Sequence, residues 1–432
     1  MTAQGKAKQR LSGKGKTIII GGGITGLAIA YYLKSKKCEI FEKESELGGL
    51  CRSKKAGGYI MDYAVHTLIT KEPYIRRLHG IFLRGNIVRQ KANPKIFFAG
   101  KYVNYPFQAS LYALPLQVQK ECFEGIVAAQ KIKQKPKNFH DWTIKTFGKG
   151  IAEHFLIPYN EKKYGCPAKE LGIGFISWRS PALSVEEARK NLNQPLSREL
   201  GYNISMAYPK KGGFEELVKA FAKRVKSPVH LGMELESIDQ NTKTVFFKNG
   251  ANKKFDRLVS TIPLPELIEK IKNCPVELKN LAKKLSNKTI WVHSFGLDSQ
   301  PLQDFYWAYY ADKDVSFTRL TNVSAFSKTV APKRKILIQA ECSSDESKEK
   351  IIDDLVKANF IKSKKNICFH DKIELKYAYV LLKTGDEKIV TALKKFLLPH
   401  GIHSLGRFGN WEYTNSDECI MEAKKFVEGK IY

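Results

Sequence analysis

Thr17-Ile18-Ile19-Ile20-Gly21-Gly22-Gly23-Ile24-Thr25-Gly26-Leu27-Ala28-Ile29-Ala30 is the stretch that decides how this chain folds. Its first four residues are short, apolar and β-branched, as suits a strand buried on both faces of a parallel sheet. Gly21, Gly23 and Gly26 then fit G-x-G-x-x-G. The first glycine permits a tight turn, the second lets the backbone approach a pyrophosphate, and the third lets the next helix pack closely on the strand. Residues 27–33 supply that helix, whose N-terminus offers free N–H groups and a positive dipole end to phosphates. A second strand, Cys38-Glu39-Ile40-Phe41, ends at Glu42. That acid lies about twenty residues past the glycines, the distance at which a carboxylate reaches a ribose hydroxyl. An uncharged run behind basic residues, with Ala28-Ile29-Ala30 near its end, also has the outline of a secretion signal. Three consecutive glycines suit a signal helix poorly, and Glu42 would then be a coincidence.

Working outward, 432 residues with 43% hydrophobic content are enough for two or three domains around a large core. No run has the length and apolarity of a membrane span. A net charge of +30 favours anionic partners: nucleotides, nucleic acid or acidic lipid. The 73 Lys and Arg are spread along the whole chain, however, as on a solvated lysine-rich surface. No nucleic-acid partner is expected, and peripheral contact with an acidic lipid surface stays open. The eight cysteines form neither C-x-x-C nor a metal spacing. They read as reduced thiols of a cytoplasmic protein, and no metal is expected.

In chain order, residues 1–16 read as a disordered basic tail. Leu47-Gly48-Gly49-Leu50-Cys51-Arg52-Ser53 is a second glycine turn, and Tyr59-Ile60-Met61-Asp62 is a strand leading to His66. Ile96-Phe97-Phe98 is a strand, and Tyr105-Pro106-Phe107-Gln108 a turn presenting two aromatics. Residues 114–190 are helical in pattern, with one helix opened by Pro115 and another over 139–156. Residues 202–260 return to the nucleotide-binding fold. There the pattern predicts a helix over 214–226 and strands over 229–238 and 244–247, with Asn249-Gly250 turning toward Leu258-Val259-Ser260. From 290 to 382 short apolar strands alternate, as in a mainly antiparallel sheet with one buried face. Gly406-Arg407-Phe408-Gly409 precedes a closing helix over 417–427. The expected class is α/β: a Rossmann-like domain (17–94, 202–270 and 395–432), an inserted helical domain (109–201) and an antiparallel sheet domain (95–108 and 285–394).

The opening motif, the second glycine turn and the Gly406 segment together resemble the flavin-dependent amine-oxidase-like superfamily. Tyr105 to Gln108, Pro158-Tyr159-Asn160-Glu161-Lys162-Lys163-Tyr164, Arg179, Trp307 to Arg319 and Arg407 to Tyr413 narrow the likeness. In order and spacing they resemble the UDP-galactopyranose mutase family, the eukaryotic type more than the bacterial. The resemblance implies FAD held by Gly21, Gly23, Ile24, Thr25, Gly26, Glu42, Gly49, Leu50, Leu235, Gly406 and Met421, with His66 near the isoalloxazine. It assigns the uracil to Tyr105, Phe107, Gln108 and Phe155. It assigns the diphosphate and sugar to Asn160, Tyr164, Arg179, Asn203, Trp307, Tyr309, Arg319, Tyr379, Arg407 and Tyr413, and the catalytic roles to His66, Arg179, Arg319 and Arg407. Residue chemistry agrees in kind, since arginines clamp a pyrophosphate bidentately and aromatics stack on a base. Ala64-Val65 stand where the family has a glycine pair, and Tyr164 where it has a tryptophan.

The implied activity interconverts the pyranose and furanose forms of a UDP-hexose of the galactose type. Reduced FAD attacks the anomeric carbon through N5, with NADPH or NADH as the reductant. Two other readings stay open on sequence: a flavin oxidase or desaturase of the same superfamily, and a non-catalytic flavoprotein that binds nucleotide or an acidic surface through its charge.

Overall fold

The computed structural model describes residues 15–174, 181–196, 200 and 205–431. Most of the basic tail, Arg179 and Asn203 therefore lie outside the described residues. The decisive stretch folds as its pattern requires. Thr17–Ile20 is fully buried, and Ile24–Leu33 is the helix that follows. Thr17–Ile20 is the centre of a five-stranded parallel sheet, between Cys38–Phe41 on one side and Arg257–Ser260 on the other. Ile18 and Ile20 pack into one core cluster and Ile19 into another, so both faces are covered. Val229–His230 and Ile402–Ser404 form the edges.

A seven-stranded sheet stands beside this unit. Its order is Ile367–Leu381, Ser286–Leu297, Ile336–Cys342, Phe317–Asn322, Trp307–Tyr310, Lys95–Phe98, Lys101–Asn104. All its pairings are antiparallel except Trp307–Tyr310 against Lys95–Phe98, which is parallel. The mixed α/β class read from the sequence is the class observed. Helices Leu116–Ala129, Phe139–Phe147 and Ile157–Tyr164 fill the segment expected to be helical. Among the described residues no helix is long and apolar enough to cross a membrane, and all eight cysteines are free, seven of them buried.

Three expected elements differ. The predicted strand over 229–238 is two strands in different sheets, Val229–His230 and Leu235–Asp239, because Gly232 turns the chain at φ +67°. Asn249-Gly250 closes a small hairpin onto Asn252–Lys254 before the chain reaches Arg257–Ser260. The helix expected over 139–156 breaks at Gly148, at φ +83°. A Cβ there would come within 2.2 Å of the Gly125 backbone, so the glycine is needed for the close crossing of helix Leu116–Ala129. The chain then passes through a π-helical turn, Ala152–Leu156, into Ile157–Tyr164. Such turns re-aim side chains, and Phe155, expected at the site, sits in this one.

Candidate active site

A cavity of about 1260 Å³ runs from the glycine loop, between the parallel sheet and the seven-stranded sheet, to the helical segment. At one end the loop is shaped as its residue types predict. Gly21 has φ +103°, and a Cβ on it would meet Thr261 Oγ1 at 2.3 Å. A Cβ on Gly26 would meet the Gly21 carbonyl oxygen at 2.1 Å, so helix and strand pack at a distance only glycine allows. Around Gly23 nothing lies within 4 Å of where a Cβ would be; the space beside that backbone is open to a ligand. The Gly48 N–H donates to the Gly22 carbonyl at 2.9 Å, which zips the second glycine turn onto the first. Glu42 is buried, and its carboxylate accepts from the Gly22 N–H at 2.6 Å and the Glu44 N–H at 3.0 Å. Ile24, Thr25, Gly49, Leu50 and Leu235 complete this end.

His66 lies midway, on the cavity wall. Its Nδ1 is 2.7 Å from the Ala64 carbonyl oxygen. Burial pushes its pKa down to about 4, so the ring is neutral near pH 7. A carbonyl only accepts; Nδ1 therefore carries the proton and Nε2 keeps its lone pair.

The far end is aromatic and cationic. Phe155 stacks on Tyr159 at 5.4 Å, and Tyr159 meets Tyr309 edge-on at 5.4 Å. Tyr379 and Tyr413 stack at 5.8 Å. Burial holds the hydroxyls of Tyr159, Tyr164, Tyr309 and Tyr379 above their ordinary pKa, so they remain protonated donors. Arg319 and Glu341 are cross-strand partners in the seven-stranded sheet. The Arg319 Nε donates to Glu341 Oε1 at 2.9 Å, and its Nη2 reaches the same oxygen. The Tyr379 hydroxyl donates to Glu341 Oε2 at 3.3 Å. Burial opposes the Arg319 charge, but the Glu341 carboxylate beside it more than offsets this and holds the guanidinium firmly protonated. Arg407 donates to the carbonyls of Ala378 at 2.9 Å and Thr414 at 3.3 Å, while its buried Nε has no partner.

The cavity thus gathers most of the residues singled out in the sequence: the glycine-loop set, His66, Tyr105, Phe155, Asn160, Tyr164, Trp307, Tyr309, Arg319, Tyr379, Arg407 and Tyr413. Others stand elsewhere. Phe107 is fully buried behind Phe155, stacked on it at 5.1 Å. Gln108 is spent on the Pro181 carbonyl at 2.8 Å. Met421 lines a separate small pocket with Glu72, Lys394 and Glu422. Gly26 and Gly406 act from behind the wall; a Cβ on Gly406 would meet Thr25 Oγ1 at 2.6 Å, so that segment docks on the glycine-loop helix. Tyr159 and Lys163 on the wall, and Glu341 behind Arg319, are among the residues not assigned a role from the sequence. Helical spacing from Asn160 puts Lys163 and Tyr164 on one face, a signal available in the sequence. Glu341 carried none, because its role depends on strand register.

The model of the flavin containing amine oxidoreductase family matches residues 24–304. The chain belongs to this family. The flavoprotein's cofactor is FAD, and the open cradle at Gly23, the zipped glycine turns and the fixed Glu42 carboxylate fit it. Among solved structures, reduced UDP-galactopyranose mutase superposes with a TM-score of 0.90 at 24% identity, over 96% of this chain and 93% of that one. A putative protoporphyrinogen oxidase from Exiguobacterium sp. 255-15 superposes with a TM-score of 0.72 at 16% identity, over 96% of this chain and 98% of that one. Protoporphyrinogen oxidase 2 of Arabidopsis thaliana is 36% identical over 72 residues, which are 16% of this chain and 14% of that protein. An uncharacterized protein of Methanothermococcus thermolithotrophicus is 36% identical over 67 residues, 15% of this chain and 66% of that one. The shared fold is that of the FAD-dependent mutases and amine oxidases.

Proposed function

We propose that this flavoprotein is a UDP-sugar mutase that interconverts the pyranose and furanose forms of a UDP-hexose of the galactose type. The observation that carries this reading is the far end of the cavity: Arg319 and Arg407 set among protonated tyrosine hydroxyls, opposite the glycine loop. An oxidase or desaturase of apolar substrates needs an apolar chamber there, whereas this end of the cavity carries two half-buried guanidiniums. The near-complete superposition on UDP-galactopyranose mutase supports the same reading.

When bound and reduced, FAD supplies a nucleophilic nitrogen for the anomeric carbon. The chain's own residues do the rest. Arg319 and Arg407 pair with the diphosphate, favour its departure from the sugar as charge builds on it, and hold it for the return step. Tyr309 donates a hydrogen bond to the same oxygens, and the Tyr379 hydroxyl, donated to Glu341, helps to fix the partner of Arg319. Glu341 fixes the Arg319 fork through the shared oxygen, and tempers its charge. Neutral His66 presents an acceptor at Nε2 and adds no second cation beside the flavin. Tyr159 offers a ring face to the uracil, backed by the stack of Phe155 on Phe107, with Tyr105 nearby. Arg179 is the third expected guanidinium and Asn203 a further sugar contact; both belong to the proposal on sequence resemblance alone.

The test is incubation of the dithionite-reduced protein with UDP-galactopyranose and UDP-galactofuranose, followed by chromatography, with NADPH and NADH as alternative reductants. Interconversion without stoichiometric consumption of reductant supports the proposal. Turnover only by the oxidised protein, with oxygen uptake, replaces it with the oxidase reading; flavin binding without any turnover leaves the non-catalytic one.

A further inference from the structure

Two adjacent lysines on helix Ile157–Tyr164 have opposite environments. Lys162 donates to the carbonyls of Tyr310 at 3.2 Å, Asp312 at 2.7 Å and Phe317 at 2.8 Å, and so pins the helix to the seven-stranded sheet. Lys163 is on the cavity wall. Its Nζ lies 4.4 Å from the centre of the Tyr379 ring, 5.0 Å from that of Tyr164 and 5.6 Å from that of Tyr413. It also hydrogen-bonds Tyr413, and burial pushes its pKa below the usual ammonium range.

Ring faces attract a cation but leave its charge unneutralised. Among the described residues Arg319 forms an ion pair with Glu341, whereas Lys163 feels that carboxylate only at longer range and forms no ion pair of its own. Arg407 is held by carbonyls only, 4.5 Å from the Tyr413 ring and 5.5 Å from that of Tyr379. Lys163 and Arg407 therefore flank the same stacked tyrosine pair, both facing the substrate end. A desolvated ammonium of this kind is stabilised when an oxyanion arrives, and a compact point charge suits one oxygen where a guanidinium suits two.

We propose that Lys163 is a specificity-determining cation of this site, which binds an oxyanion of the incoming nucleotide sugar: either the diphosphate or a carboxylate on the sugar ring. The nucleotide part rests on the UDP-sugar reading; the anion-binding part rests on Lys163 alone.

The experiment titrates FAD-loaded wild type, Lys163→Met and Lys163→Arg with pyrophosphate, UDP, UDP-glucose and UDP-glucuronate, followed through the flavin absorbance and by calorimetry. Methionine keeps the length of the side chain and removes the charge, and an unchanged flavin spectrum reports an intact fold. At least one oxyanion should lose about tenfold or more in affinity with Lys163→Met and recover part of it with Lys163→Arg. Parallel losses for pyrophosphate and UDP identify the diphosphate as the contact. A loss confined to UDP-glucuronate relative to UDP-glucose identifies the sugar carboxylate. Binding of all four within about twofold of wild type overturns the proposal, as does a wild type that binds none of them. Lys163-dependent pyrophosphate binding with no preference for uridine nucleotides overturns the UDP-sugar reading and leaves this inference standing.

Discussion

At the scale of single residues, the Arg319–Glu341 pair shows how one side chain serves two ends. Arg319 faces the cavity, yet its partner is almost wholly buried, at 2% exposed. Arg319→Ala should weaken UDP binding by about 1.5–3 kcal/mol, the worth of a charge-assisted contact, or one to two decades in affinity. It also strands Glu341 as an unpaired buried carboxylate, which costs about 3–5 kcal/mol of stability. The double variant Arg319→Met, Glu341→Gln removes both charges. It should recover much of the melting temperature while UDP affinity stays low. Titration with UDP beside a thermal melt separates the two effects. If the double variant binds UDP like wild type, Arg319 is a structural ion pair and the diphosphate lies elsewhere.

At the scale of elements, the two glycines of the loop helix make opposite predictions. Gly23 has φ −72° and no protein atom within 4 Å of where a Cβ would be, so a side chain there would grow into the space that a pyrophosphate needs. Gly23→Val should lose FAD while the apoprotein melts as wild-type apoprotein does. Gly26→Val should lose the fold itself, since its Cβ would sit 2.1 Å from the Gly21 carbonyl oxygen. Flavin content and apoprotein melting temperature, read together, check both; flavin retained by Gly23→Val would refute the cradle. This element was legible because each of its residue types answers a local demand: strand, turn, approach, packing. The helix over 139–156 was misread because Gly148 obeys a distant helix, against Gly125, and a lone glycine does not announce that. Phe107 and Gln108 were misplaced for a related reason. An aromatic or amide beside a cavity and one just behind it look alike in sequence, and only the stack of Phe107 on Phe155 and the bond from Gln108 to Pro181 distinguish them. Glu341 stayed hidden because pairing across strands is fixed by register, whereas Lys163 went unassigned although its helical spacing from Asn160 puts it on the same face.

At the scale of the whole molecule, acid meets two opposed sets of buried groups. Burial pushes the pKa of His66, His79, His293 and His403 each down to about 4, against an ordinary 6.5. A group whose folded pKa is depressed contributes stability that is fully present above pH 6.5 and is lost as pH falls toward 4. Asp62 acts in the opposite sense. Its carboxyl, buried against Ser53, Tyr208 and the Phe214 N–H, is pushed up to about 6 from 3.8, so its contribution grows as pH falls through the same window. His370 is pushed down in the same sense as these histidines, and burial raises Asp386, Glu412, Asp417 and Glu422 in the sense of Asp62, so the individual groups oppose one another. The balance is tipped by net charge: each proton taken up adds to a chain already at +30, and the self-repulsion grows as pH falls. The melting temperature of the FAD-loaded protein should therefore fall steadily from pH 6.5 to 4. His79 isolates one contribution, being 2% exposed with a buried Nε2 that has no partner, and it does not line the cavity. His79→Leu should flatten the curve in that window, by up to about 1.4 kcal/mol for each pKa unit removed, and leave stability above pH 7 little changed. Asp62→Asn should steepen it, because the opposing proton uptake is gone. Identical pH profiles for wild type and His79→Leu would mean that His79 titrates in the folded protein as it does in the unfolded chain, and the acid sensitivity would then belong to the net charge, which added salt would screen.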